Sequence, residues 1–282
     1  MRLATVVEDG RSGVGLVRGG RVLVLPAADE RFRSLRSIAA GGAEVLERAR
    51  EWADRQPDEA YRAIGDVELG PAVPDPGAIY TIGLNYRDAG EPPGRRPERP
   101  FVYGKVASST SGHGATVAWD RSLTANVDPE AELGVVIGEP AVAVSPETAL
   151  DHVFGYTCIN DISSRDPWLD GDQWLLGKSF AGFCPVGPWV VTRDEIDPID
   201  LGIGCILNGI PIQDGRTGQM RFSIAEIVSY LSRHVALRPG DLIATGTPAR
   251  LPSPLGPDRH LEAGDVVTVW IERIGELTTS IA

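Results

Sequence analysis

Glu130-Ala131-Glu132-Leu133-Gly134-Val135-Val136-Ile137-Gly138 sets two carboxylates into a stretch that is otherwise apolar and alternates as a strand does. Successive strand side chains point to opposite faces, which puts Ala131, Leu133, Val135 and Ile137 on one side and Glu130, Glu132, Gly134 and Val136 on the other. The two acids are then neighbours, about 6.5–7 Å apart along the strand. Beside an apolar core such a pair repels and resists desolvation unless something positive lies between its members. A hard divalent cation answers that need, since carboxylate oxygens suit Mg²⁺, Mn²⁺ or Ca²⁺. The other reading of Glu-x-Glu is an edge strand with one wet face.

Downstream, Phe154 to Ile159 is a second apolar run, and it ends in the polar cluster Asn160-Asp161-Ile162-Ser163-Ser164-Arg165-Asp166. Site residues often sit where a strand gives way to such a cluster, and Asp161 is the expected third metal ligand. Upstream, Ala78 to Tyr86 starts as a strand and runs into 87–99, a stretch crowded with Pro, Gly and charge. Loops of that kind in compact domains commonly cover sites, although a plain surface excursion has the same composition. Phe101 to Lys105 returns to strand. Further on, Asn208-Gly209 marks a hairpin within Ile203 to Gln213, and Ser223-Ile224-Ala225-Glu226 is a capping box opening a helix. Leu-x-x-Gly-Asp turns at 237–241 and 261–265 each feed a strand. So many strands with so few helices predict an α+β, mostly β chain built as a sandwich or roll.

The first seventy or so residues read as a small separate unit. Leu16 to Leu25 is a hairpin pattern around Gly19-Gly20, and Ala43 to Arg55 carries Leu46, Ala49, Trp52 and Ala53 at helical spacing. The proline-rich connector Gly70 to Pro76 gives the expected division, a small N-terminal domain over 1–72 and a larger one over 73–282. No signal-peptide pattern or bilayer-length apolar run is present, so a cytoplasmic protein without a membrane partner is expected. The net charge of −12 argues against nucleic acid as a partner. Cys158, Cys184 and Cys205 are odd in number and set in apolar sequence, which predicts reduced core residues. Of 27 Lys and Arg only Lys105 and Lys178 are lysine. In a chain so biased toward Arg, a lysine is expected where a compact, rotatable ammonium is needed.

From Gly83 to the C-terminus the chain resembles the fumarylacetoacetate hydrolase family. The motifs, in order, are Gly-Leu-Asn-Tyr (83–86), Glu-x-Glu-Leu (130–133), Asn-Asp-x-Ser-x-Arg-Asp (160–166), Lys-Ser-Phe (178–180), Pro-x-Gly-Pro-Trp (185–189), Asn-Gly (208–209), Pro-Gly-Asp (239–241) and Thr-Gly-Thr-Pro (245–248). Each alone is weak, but eight in sequence leave little room for chance. The resemblance implies a mixed β-sandwich roll, commonly a homodimer, with Mg²⁺ (or Mn²⁺ or Ca²⁺) held by Glu130, Glu132 and Asp161. It implies Lys178 beside the substrate, with Tyr86, Lys105, Arg165, Gln213 and Thr247 as substrate-binding candidates. A small oxo acid or 1,3-dicarbonyl chelated there would lose a C–C bond, or a proton, through a metal-stabilised enolate.

The sequence departs from the family at the step that delivers water. Hydrolysing members usually carry a His–Glu pair just after Asn-Tyr, where this chain has Ala89 and Pro92. Glu91 survives one place early and is the candidate to act there. Among the histidines only His113, in Ser111-Gly112-His113-Gly114, sits in a loop able to approach a cleft. Ala181-Gly182 replaces the usual Asp-Thr after Lys-Ser-Phe. Arg250-Leu251 interrupts the continuation of Thr-Gly-Thr-Pro, adding bulk and positive charge near the expected substrate mouth. These changes point away from the substrates of primary catabolism. The leading expectation is a hydrolase of an acylpyruvate-like C–C bond. The alternatives are a decarboxylase, tautomerase or isomerase, or cyclising enzyme that needs no activated water, or a non-catalytic relative that binds metal and ligand only.

Overall fold

What covers each face of the central strands follows from their composition. The computed structural model describes every residue except 88–90, 92–95, 167, 170–171 and 257–258. Its main sheet contains β1 (Arg2–Glu8), β2 (Arg11–Arg18), β3 (Arg21–Val24), β4 (Ile79–Gly83), β5 (Phe101–Lys105), β6 (Ala131–Ile137), β7 (Val153–Asn160) and β8 (Cys184–Thr192). A second sheet contains β9 (Gly202–Leu207) and β10 (Ile210–Arg216), and the main sheet also takes β11 (Leu242–Ala244). The last two strands, β12 (Val266–Ile271) and β13 (Gly275–Ile281), belong to the second sheet. The main sheet runs β3-β2-β1-β8-β7-β6-β11-β4-β5, antiparallel except for the β11–β4 pair. The second runs β10-β9-β12-β13. This is the mostly β, mixed-sheet α+β architecture that the strand-rich sequence predicts.

All seven residues of β6 are buried, and the strand lies between β7 and β11, so it is no edge strand with a wet face. The alternation seen in the sequence sorts its side chains into two cores. Leu133, Val135 and Ile137 join Ile203, Val269 and Leu277 of the second sheet and Ile227 of helix α2 (Ile224–Ser232). Val136 faces the other way, into a core with Ile159, Val186 and Leu242 beneath helix α1 (Leu35–Asp54). Each fully buried Leu or Ile contributes ~1.5–3 kcal/mol of apolar burial, so both coverings are strongly favoured.

Helix α1 begins eight residues earlier than its periodicity predicts. Ser34 caps its start by accepting from the Ser37 amide, and Gly42, at φ 57° and ψ −148°, breaks it in the middle. The break resets the phase, with Leu35, Ile38 and Ala39 buried before it and Val45, Ala49 and Ala53 after it. The capping box at Ser223 and Glu226 forms as expected. The hairpins turn at Gly19-Gly20 and at Asn208-Gly209, with Asn208 and Gly209 both at positive φ, as a tight right-twisting hairpin requires.

Residues 1–72 contribute outer strands and the α1 cover. Strand β1 pairs with β8 through Arg2↔Val191 and Leu3↔Val190, so the main sheet crosses the compositional boundary at 72/73 without interruption. The three cysteines are buried and unpaired. No described helix is long and apolar enough to cross a membrane. The expected cover at 87–99 lies partly outside the described residues, and so do Ala89 and Pro92.

Candidate active site

The register of β6 on β7 brings the acids together. Ala131 pairs with Asn160, and the Asp161 amide donates to the Glu130 carbonyl at 2.9 Å, continuing the ladder one step so that Glu130 lies opposite Asp161. Residues directly opposite in an antiparallel pair project to the same face, and Glu132 returns to that face two residues on. The result is three carboxylates that each bring one oxygen within 4.8 Å of the other two.

Cations are distributed unevenly among them. Lys105 Nζ, at the end of β5, donates to Asp161 Oδ1 at 2.5 Å and to the Ile162 carbonyl at 3.0 Å. Lys178 Nζ, at the C-terminal end of the short helix Trp174–Gly177, donates to Asp161 Oδ2 and to the Ser163 hydroxyl, each at 2.7 Å, and lies 3.3 Å from Glu130 Oε2. Arg165 pairs with Glu130 Oε1. Burial works to raise the Asp161 carboxyl, but the two ammonium groups hold it at about 2. Glu130 is likewise held below the usual range by Lys178 and Arg165 against burial. Burial would lower the Lys178 ammonium, yet Asp161, Glu130 and Glu132 push it up, so the carboxylates decide its charge.

Glu132 differs from the other two. It makes no ion pair among the described residues, and one oxygen accepts from the Gly246 amide at 2.7 Å. Burial, followed by the charges of Asp161 and Glu130, raises its carboxyl well above the ordinary value. Such a group is satisfied either by a proton or by a cation. The donor set is all oxygen, and each carboxylate keeps lone pairs beyond those its lysine or arginine partners use, so the residues fit a hard divalent ion.

Gly246 makes that contact by close approach. At φ 98° it occupies left-handed backbone, and an added Cβ would stand 2.7 Å from Asn85 Cβ and 2.9 Å from the Ile82 carbonyl. Asn85 in turn ties Thr245 and Phe222 together through its side-chain amide. The Gly-Leu-Asn-Tyr and Thr-Gly-Thr-Pro motifs are thus two halves of one backbone junction above the acids.

A cavity of about 120 Å³ touches Glu130, Glu132, Asp161, Lys178 and Thr247. A second, of about 300 Å³, shares Leu84, Glu130, Arg165 and Thr247 with it and continues to Tyr86, Gln213 and Arg250. Most of the residues singled out in the sequence therefore converge, but not all in the expected manner. Gln213 spends its amide on the Ala131 N–H, the Thr247 hydroxyl and the Pro248 carbonyl, so it holds the wall in place. The Tyr86 hydroxyl is buried without a hydrogen-bond partner among the described residues, and burial raises it far above the usual phenol value. Lys105 is fully enclosed on Asp161 and does not line either cavity.

Glu91 forms a two-pronged ion pair with Arg221 and lines neither cavity. His113 accepts from the Thr278 amide at 3.2 Å, pinned to β13 with its imidazole pKa lowered by burial. Asp128 is a further acid of this wall that the Glu-x-Glu pattern alone does not single out. It bonds His260 Nδ1 at 2.8 Å and lies 3.3 Å from Arg165 Nε and 3.5 Å from Arg250 Nη1. The alternation Asp128-x-Glu130-x-Glu132 was the available signal for it.

Residues 78–282 match the family described as fumarylacetoacetate (FAA) hydrolase, C-terminal. An uncharacterized protein of Staphylococcus aureus (strain USA300) is 42% identical over 226 residues, 79% of this chain and 75% of that protein. Among solved structures, a fumarylacetoacetate hydrolase from psychrophilic Exiguobacterium antarcticum is 32% identical with a TM-score of 0.87, covering 100% of this chain and 99% of that one. A 2-hydroxyhepta-2,4-diene-1,7-dioate isomerase from Mycobacterium marinum is 29% identical with a TM-score of 0.76, covering 100% of this chain and 98% of that one.

Proposed function

Since the chain belongs to the fumarylacetoacetate hydrolase family and is an enzyme of that hydrolase, lyase and isomerase kind, we propose that it cleaves a C–C bond in a small acylpyruvate-like oxo acid or 1,3-dicarbonyl by divalent-metal-dependent hydrolysis. The observation that carries this reading is the clustering of Glu130, Glu132 and Asp161 within 4.8 Å, with Glu132 lacking a cationic partner among the described residues. These three would hold Mg²⁺ or Mn²⁺, which supplies polarisation of a chelating oxo acid's carbonyl when bound. Lys178, hydrogen-bonded to Asp161 and the Ser163 hydroxyl in the cavity wall, would set a cationic group against negative charge developing on the substrate. Lys105 fixes Asp161, while Thr247, held by Gln213, and Arg165 offer polar contacts in the cavity wall. Homodimeric assembly belongs to the same proposal and is read by sedimentation.

A second reading, isomerisation, is favoured by one feature. Ala89 and Pro92 stand where hydrolysing members carry His and Glu, and the remaining carboxylate, Glu91, is engaged by Arg221. Moving a proton along the substrate needs no activated water. Incubation with Mn²⁺ and a panel of acylpyruvates and oxaloacetate in H₂¹⁸O separates the outcomes. Label in a cleaved acid supports hydrolysis, CO₂ without such label supports decarboxylation, and an isomerised product without cleavage supports the second reading. No turnover across the panel would sink the proposal.

A further inference from the structure

We propose that the end of the substrate that does not chelate the ion is apolar, an aryl or branched alkyl acyl group, and that Leu84, Tyr103 and Trp174 form the wall that receives it. This rests on the function proposed above and names the acyl tail. The cavity over the acids has a lining of two kinds, with Glu130, Glu132, Asp161 and Lys178 beside the apolar groups of Leu84, Tyr103 and Trp174. Strand β5 sets their order. Phe101, Tyr103 and Lys105 alternate onto one face, where Lys105 grips Asp161 at the inner end and Phe101 is 49% exposed at the outer end. That face therefore passes from the acids to solvent by way of aromatic rings, over about 13–14 Å.

The backbone of β4 makes room for this wall. Tyr103 pairs with Thr81 and Phe101 with Gly83, and a Cβ added at Gly83 would stand 2.5 Å from Tyr103 Cε2, so only glycine lets the ring lie over the end of β4. The ring also meets Trp174, with centroids 4.6 Å apart and planes tilted by 34°. Leu84, the next residue after Gly83, sits at φ 55°, a left-handed backbone that bulky side chains rarely adopt, and it is 70% exposed. Backbone strain and a wetted isobutyl group both cost free energy, and an apolar ligand lying on Leu84 and Trp174 offsets the second. A charged tail fits this wall poorly. Lys178 and Arg165, the cations lining the cavity among the described residues, lie against Asp161 and Glu130, so a carboxylate on the rings would lose hydration without a cation beside it.

The test compares 2-oxo-4-phenylbutanoate with 2-oxobutanoate, which shares its head and lacks the phenyl group, and with 2-oxoglutarate, which carries a carboxylate tail instead. Each is titrated calorimetrically into the full chain and its Trp174→Ala and Leu84→Asn variants, with and without Mn²⁺. The wild type should bind the phenyl acid about tenfold or more tightly than either of the others. Trp174→Ala should cut that preference to below about threefold, through loss on the phenyl acid. Leu84→Asn, whose side chain tolerates left-handed backbone, should lower it in the same direction. Equal affinities in the wild type, tighter binding of 2-oxoglutarate, a preference that survives both variants, or binding of none of the acids overturns the proposal. Sedimentation of the same proteins tests the other occupant: if Trp174→Ala dissociates an oligomer and leaves the preference intact, the rings cover a second copy of this chain and the proposal falls. If Mn²⁺ itself does not bind, the parent reading fails, and the phenyl preference in metal-free protein still decides the role of the wall. Should Trp174→Ala not fold, Leu84→Asn decides instead.

Discussion

The two halves of the stretch 128–137 share one pleat and serve opposite ends. Residues 133–137 place Leu133, Val135 and Ile137 in one apolar core and Val136 in another. Residues 128–132 run the same alternation with Asp128, Glu130 and Glu132, and those acids meet Asp161, lysines, arginines and a cavity. The difference teaches that period 2 alone aims the side chains, while residue type decides whether a face becomes core or site. Stability should therefore reside in the second half and chemistry in the first, and exchanging the perturbation should exchange the phenotype.

The sharpest way to break this contrast is Glu132→Gln. Turnover should fall about 10³-fold, equivalent to about 4 kcal/mol, with the melting temperature within about 2 °C of wild type. Glu132 contributes no ion pair among the described residues, so little native stability leaves with its charge. Parallel loss of fold and activity would erase the distinction. Leu133→Ala, one residue away and 0% exposed, should do the reverse. It should cost ~2–5 kcal/mol in denaturant unfolding, while the fraction still folded keeps its Mn²⁺ affinity.

Gly246→Ala joins the two effects. Its methyl would meet Asn85 Cβ at 2.7 Å in left-handed backbone, so about 1–3 kcal/mol of stability should be lost. Because the Gly246 amide holds Glu132, Mn²⁺ affinity should fall as well, and unchanged affinity would mean that this contact does not orient the carboxylate. The smallest expected effect concerns Asp166, a carboxylate near the cluster in sequence and satisfied without a lysine. Burial opposes its charge, but the Thr124 hydroxyl, the Asn126 side chain and nearby amides lower its pKa. A lowered carboxyl contributes stability that is present above its unfolded value of about 3.9 and lost as pH falls through the folded-state value. Asp166→Asn should cost ~1–2 kcal/mol at neutral pH and flatten that acid limb, as read by unfolding between neutral and acidic pH.

Local patterns made much of this legible. The alternation through Ile137, the Gly-Gly and Asn-Gly hairpins, the Ser223 box and the buried cysteines are each written in a few consecutive residues. Pairing across long separations is not. Nothing near Arg2 announces Val191 as its neighbour, so the first seventy residues read as separate although β1 extends the main sheet. The scarcity of lysine singles out Lys105 and Lys178, but their joint grip on Asp161 depends on how a strand end and a helix end, distant in sequence, meet. Glu91 illustrates the same limit, since its ion pair with Arg221 spans 130 residues. Asp128 lies on the same alternation, but Pro129 separates it from the apolar run that marks the strand.

The central claim is that Glu130, Glu132 and Asp161 enclose one divalent ion, and an anomalous difference map from a crystal soaked in Mn²⁺ tests it most directly. The account predicts a single strong peak bounded by those three carboxylates, at about 2.0–2.6 Å from their oxygens, and its disappearance in Glu132→Gln. A map with no peak there, or with Lys105 and Lys178 still closing the site and manganese bound only elsewhere, would contradict it.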